Sequence, residues 1–351
     1  MKRCTLLALI LAFLPSLFSQ TQKNVTLVGQ LDYTPSLNDI WGYVDDNGNE
    51  YALVGAQTGF SIVDLSDPTN PVQLQFIPGF FSVWRDIKTY GHYAYVSNDD
   101  GGGLTIVDLS TLPGQVVHKD TVMQGITHTH NLYIDNGILY MAGPDQFNGG
   151  LAMYDLTNDP WRPNFVGAYS VRYVHDVYVR NNLAYAAEIN DGLLTILDVT
   201  NPGFPQTLGS RDYINSFTHN TWLNDASNVV FTTDELSDAY LYAWDISDPG
   251  NIIELDRIRS SLSNGTATPH NTHVLDDYLV TSYYRDGLNI VDASRPSNLI
   301  ETGYYDTSPL SGGGFNGAWG AYPFLPSGLI LVSDIESGLF VFDVNFVREY
   351  V

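Results

Sequence analysis

Eight histidines occur in the chain of 351 residues, and four of them share one repeating position. His130, His175, His219 and His270 each begin a short apolar run and are each followed by Asn or Asp: Asn131, Asp176, Asn220 and Asn271. Three residues after each histidine stands Tyr133, Tyr178, Trp222 or His273. The flanking copies align Asn38-Asp39 with Trp41, Arg85-Asp86 with Lys88, and Asn316-Gly317 with Trp319. His128 and His273 fall beside the same column, whereas His92 and His118 lie elsewhere. Imidazoles converging from rigid elements form the donor set of a divalent transition metal: zinc, copper, iron or manganese. The metal candidates are therefore His130, His175, His219, His270, His128 and His273. An open coordination position would activate water or dioxygen, for hydrolase or oxidase chemistry. Glu188 and Asp234 end the runs that follow His175 and His219, and they are the candidate catalytic carboxylates, acting as general base. Asp176, Asn131, Asn220 and Asn271 are candidates to orient the imidazoles. A structural reading stands beside this one: a repeated His-Asn or His-Asp pair can tie neighbouring elements by buried hydrogen bonds, leaving a non-catalytic binding protein.

The column has meaning only on a repeated scaffold, and the sequence carries one. Phe60-Ser-Ile-Val-Asp-Leu-Ser-Asp-Pro68 returns as Leu104 to Ser110, Leu151 to Thr157, Leu194 to Thr200, Leu241 to Ser247, Leu288 to Ser294 and Leu339 to Asp343. The anchoring aspartates, Asp64, Asp108, Asp155, Asp198, Asp245, Asp292 and Asp343, are 43 to 51 residues apart. Each copy reads as four short strands separated by Asn-Asn, Asp-Gly and Asn-Pro turns. Four strands repeating at this period predict an all-β, seven-bladed β-propeller with four-stranded antiparallel blades. The seventh copy stops after three strands. Val25 to Leu31 has the pattern of a fourth strand, so the N-terminal strand completes the last blade and closes the ring. The first strand of each blade lines the central channel, and the column then becomes a ring of side chains at one mouth. The aspartates that end each third strand read as Asx-type turn formers, not as a calcium loop.

The phrases Ser61-Ile-Val-Asp64, Thr105-Ile-Val-Asp108 and Asn289-Ile-Val-Asp292, each leading into a turn, resemble LVIVD repeats. The whole chain is similar to the choice-of-anchor B family of exported bacterial propeller proteins. That resemblance implies a propeller fold, export and a surface or adhesion role, but no defined reaction.

Composition bounds the remaining possibilities. Lys2 and Arg3 precede the apolar stretch Thr5 to Phe18, so residues 1–19 read as a signal peptide and residues 20–351 as a single propeller domain. The chain is then exported: secreted, periplasmic or at the cell surface, with no transmembrane helix after cleavage. The single cysteine, Cys4, leaves with the leader, which excludes disulfides and thiol catalysis. Loss of Lys2 and Arg3 moves the formal charge from −24 to −26. A surface so acidic repels nucleic acid and anionic lipid. The glycine loop Ser311 to Trp319 precedes a strand instead of opening a helix, so no nucleotide cofactor is expected. The expected partner at the channel mouth is a small molecule, a glycan or a surface protein.

Overall fold

The computed structural model describes residues 21–264 and 266–348. The expected leader, residues 1–19, lies outside the described residues. Seven antiparallel sheets, each with four blade strands, follow one another around a ring. Blade 1 runs from its inner strand Leu37–Val44 through Glu50–Ala56 and Gly59–Asp64 to the outer strand Val72–Pro78. The inner strands of blades 2 to 7 are Ile87–Tyr90, Asn131–Asp135, Asp176–Arg180, Thr218–Leu223, Thr272–Leu275 and Ala318–Tyr322. A single 3-10 turn, Phe147–Gly149, is the only helical element among the described residues.

Val25–Leu31 pairs with Gly338–Val344 and supplies the outer strand of blade 7. This is the ring closure that the truncated seventh copy predicts. Just upstream, Gln22–Lys23 pairs with the outer strand of blade 6, Ile300–Tyr305. Asn24 Nδ2 donates to the Thr302 carbonyl at 2.7 Å. The N-terminal segment therefore straps two blades, and no repeat signal announces the second contact.

The repeated phrase builds the joints between blades. Its third strands are buried, and apolar residues from neighbouring sheets pack across each joint. Leu53 and Ile62 of blade 1 meet Ile87 and Val96 of blade 2. Met153 of blade 3 meets Val177 and Ala186 of blade 4. At the strand ends, Asp64, Asp108, Asp155, Asp198, Asp245 and Asp292 each accept the backbone N–H two residues on, at 2.7–3.0 Å. These are the expected Asx turns. In three joints the turn's proline then abuts the preceding blade. The Pro68, Pro202 and Pro249 carbonyls press on Gly29, Gly167 and Gly209, where a Cβ would stand only 1.8–2.1 Å away. Each glycine sits at a register shift of its outer strand. A bulge opens the strand there, and glycine lets the next blade's backbone close on it.

Candidate functional site

Seven equivalent residues ring the channel mouth, one per blade: Asn38, Arg85, His130, His175, His219, His270 and Trp319. Six match the sequence alignment. In blade 7 the structure corrects it by three residues. The inner strands of blades 5 and 7 share one register shift, pairing Thr218 with Asp234 and Ala318 with Asp334. Trp319 therefore corresponds to His219, and Gly320 and Tyr322 correspond to Asn220 and Trp222. Gly320 has no side chain because Asp39 Oδ1 occupies that space, 2.1 Å from where a Cβ would be.

The four histidines form a continuous arc. Ring centroids are 4.0 Å apart for His130 and His175, and 4.4 Å for His175–His219 and for His219–His270. Both ends of the arc are held. Asp99 bonds His130 Nδ1 at 2.9 Å. The Trp319 carbonyl accepts from His270 Nδ1 at 2.5 Å. A carbonyl can only accept, so the proton of His270 is on Nδ1 and the Nε2 lone pair is free. That Nε2 lies 3.6 Å from Glu235 Oε1, and His219 Nε2 lies 3.6 Å from Glu235 Oε2. Tyr284 donates its hydroxyl to Glu235 Oε1 at 2.6 Å and fixes the carboxylate between the two rings. The Nδ1 atoms of His175 and His219 are buried without a well-formed hydrogen bond.

Burial sets the charge state. Desolvation holds His219 and His270 down to about 3 and His175 well below the usual histidine value, helped by neighbouring imidazoles. All three are neutral at physiological pH, which is the form that binds metal. Desolvation, and then the neighbouring carboxylate, push the Tyr284 phenol well above its ordinary value, so it remains a donor to Glu235.

One atom from each of His175, His219 and Glu235 lies within 4.8 Å of the other two. The arc encloses a chamber with about 20 Å³ of free volume. That is room for one water molecule or one ion. Above it lies a wider antechamber of about 480 Å³, which shares Trp84 and Trp319 with the chamber.

Several expected site residues fall outside this arc. Glu188 is fully buried and accepts from Tyr169 Oη and Thr195 Oγ1, each at 2.7 Å, with Arg172 nearby. Asp234 accepts from Tyr213 Oη at 2.5 Å. Side-chain alternation is the reason. Asp234 pairs with Thr218, and Tyr213 Oη reaches both on one face. His219 and Glu235, each one residue later, emerge on the channel face. Counting one residue past the strand end would have found Glu235. His128 is half exposed, with its Nδ1 3.7 Å from Asp145. His273 is buried one layer deeper, against Trp222 at 4.5 Å, and lines a lower chamber with Lys88.

The Asp/Asn ring beneath the histidines ties the blades together instead of orienting imidazoles. Asp86 Oδ2 accepts Leu132 N–H from blade 3 at 2.6 Å, and Asn220 Oδ1 accepts Thr272 N–H from blade 6 at 2.9 Å. Asp176 Oδ2 accepts from both Asn131 and Asn220 at 3.1 Å. The structural reading thus describes the second ring, one residue after the histidines.

Four stretches match the LVIVD-repeat family model: residues 47–75, 84–113, 171–212 and 271–307. They fall on blades 1, 2, 4 and 6. The fold and these stretches together define an LVIVD-repeat β-propeller. No match is found among curated proteins. Among solved structures, the chain is similar to the computationally designed Ika8 protein. The TM-score is 0.59 at 12% identity, over 92% of this chain and 100% of that one, a likeness of fold alone. No helix among the described residues is long and apolar enough to cross a membrane.

Proposed function

We propose that this LVIVD-repeat propeller binds one divalent transition metal at the channel mouth, through His175, His219 and Glu235, and uses it for hydrolytic chemistry. The observation that carries this is the donor triad itself: two neutral imidazoles from the chamber wall and a carboxylate that lines the antechamber, with one donor atom of each within 4.8 Å of the others. Tetrahedral donors about 2.1 Å from zinc lie about 3.4 Å apart. His219 Nε2 and Glu235 Oε2, at 3.6 Å, already match that edge. Two histidines and a glutamate leave the fourth position for water, the pattern of catalytic zinc sites. Bound there, the metal would lower the pKa of that water. His270, whose free Nε2 lies 3.6 Å from Glu235, and His130, oriented by Asp99, stand beside the triad as groups able to accept its proton. The expected oxidase alternative would use the same donors with copper or iron. The leader-like residues 1–19 and the choice-of-anchor B resemblance support work outside the cytoplasm.

Elemental analysis of the purified, dialysed protein tests this, beside a His175→Ala/His219→Ala double variant. Near-stoichiometric metal in the parent and its loss in the variant is the expected result. Absence of metal from the parent after zinc loading refutes the reading.

A second reading, a non-catalytic binding protein, draws on one observation. The loops that lead into the inner strands expose Phe80, Phe81, Val122, Val171, Ile214 and Phe315 around the same mouth. Such a crown suits docking of a partner. Metal bound without turnover of any ester, lactone or phosphoester would favour it.

A further inference from the structure

The histidine arc covers blades 3 to 6 only, and the antechamber lies mainly over blades 7, 1 and 2, reaching Glu235 of blade 5 and Tyr284 of blade 6. Its walls are aromatic: Trp84, Trp319, Tyr284 and Phe315. Its charged groups are both carboxylates, beside the neutral Ser36 and Gln57. Glu235 and Glu336 line it. Asn38 lines it too, and Asn38 Nδ2 donates to the Val83 carbonyl at 2.6 Å. That bond fixes the amide with Oδ1 buried and unpartnered. No lysine or arginine lines the space. Arg285 approaches from outside and donates to Asn316 Oδ1 and to the Ser311 carbonyl. Glu336 accepts from Asn316 Nδ2 and from Gly317 N–H at 3.0 Å, which holds its carboxylate in place.

We infer that the antechamber binds an organic cation, an ammonium group on an apolar or aromatic body, as the substrate class of the metal centre. Aromatic faces attract a cation through their quadrupoles, and carboxylates supply its countercharge. In the metal-free protein an anionic ligand would meet the Glu235 and Glu336 carboxylates and no cation in the antechamber lining, which favours the cation. The volume of about 480 Å³ suits a ligand of ordinary metabolite or drug size. A ligand seated in the sector of blades 7, 1 and 2 faces the open side of the arc. This assignment deepens the metal-centre reading, yet binding itself does not require the metal.

Titration of the full protein with benzyltrimethylammonium tests it, read by tryptophan fluorescence and calorimetry. Phenylacetate and the neutral isostere neopentylbenzene serve as comparisons, with and without zinc. The expected result is saturable binding of the cation, about tenfold or more tighter than either comparison. Glu336→Gln removes the charge and keeps one of the two acceptor oxygens, and should weaken the cation about five- to tenfold while leaving zinc stoichiometry unchanged. Phe315→Leu, at an exposed wall, should weaken it without altering the fold. Absence of saturable binding in both metal states overturns the inference. So does equal affinity for phenylacetate, or affinity unchanged by both substitutions. Cation binding to a protein that takes up no zinc on loading would refute the metal reading and leave this one standing. Zinc binding without cation binding would do the reverse.

Discussion

Replacing Gly167 by alanine should open the joint that sets the first step of the histidine arc. Gly167 lies in the outer strand of blade 3, at the register shift opposite Met153 and Tyr154. A Cβ there would stand 1.8 Å from the Pro202 carbonyl oxygen, 2.2 Å from its carbon and 2.6 Å from Gly203 N. Ordinary contact begins near 3.4 Å, so the two backbones must part by about 1.6 Å. Both obstacles are main chain, with no flexible side chain to give way. Overpacking typically costs 1–3 kcal/mol, and this site should fall at the upper end, about 3 kcal/mol. For a propeller domain of this size that is a fall in Tm of about 4 °C, scaling from the unfolding entropy per residue. Gly203→Ala is the control from the other side of the same joint. Its nearest neighbour beyond the adjoining residues is Asn201 Oδ1 at 3.5 Å, so the change should be neutral or stabilise by about 0.4–1 kcal/mol. The assay is urea unfolding followed by tryptophan fluorescence, with m-values compared. Because His130 and His175 straddle this joint at 4.0 Å, zinc affinity should fall with Gly167→Ala and hold with Gly203→Ala. A Gly167→Ala protein within 0.5 kcal/mol of the parent, or equal losses in both variants, would refute the account of the joint.

Other substitutions probe the layers of the channel. Glu235→Gln should weaken zinc by about tenfold or more in competition titrations with a chelator, whereas Glu188→Gln should leave it unchanged. Burial raises the Asp234 carboxyl from 3.8 to about 7. The folded state then holds a proton that the unfolded state has released, so the stability from this group is full below about pH 4 and is lost as pH rises towards 7. Asp234→Asn should therefore gain on the parent by roughly 1 kcal/mol per pH unit across that window, measured by denaturant unfolding at pH 4.5, 5.5 and 6.5. Lys88 is buried 2.5 Å from Asp86 and 4.4 Å above the Trp41 ring. Lys88→Met should cost about 3–5 kcal/mol by stranding the carboxylate, and adding Asp86→Asn should recover part of that loss in a double-mutant cycle.

The repeat made the propeller legible without coordinates. Strand alternation and the aspartate spacing are local and recur in all seven copies, and the Asx turn recurs in six. The truncated seventh copy and Val25 to Leu31 even exposed the closure, because a missing strand and a spare one are both visible in a linear pattern. The histidine column was legible for the same reason: one strand position repeats in every blade. What a linear pattern could not carry was the neighbour across a joint or the face on which a side chain emerges. Glu188 and Asp234 stand at the right height but point across the joint, to Tyr169 and Tyr213 of the preceding blades, because successive residues of a strand face opposite sides. Glu235 reaches the imidazoles only because the chain has left the strand by then. Trp319 stands in the ring where the alignment put Asn316, because the glycine-rich loop before the blade 7 inner strand is longer than its counterparts and the strand begins only at Ala318. The sequence alone determined the ring, its closure and six of its seven channel-mouth positions, the four histidines among them. Only the tertiary structure decided which carboxylate joins them, because that choice depends on side-chain direction and on the packing of blades far apart in the chain.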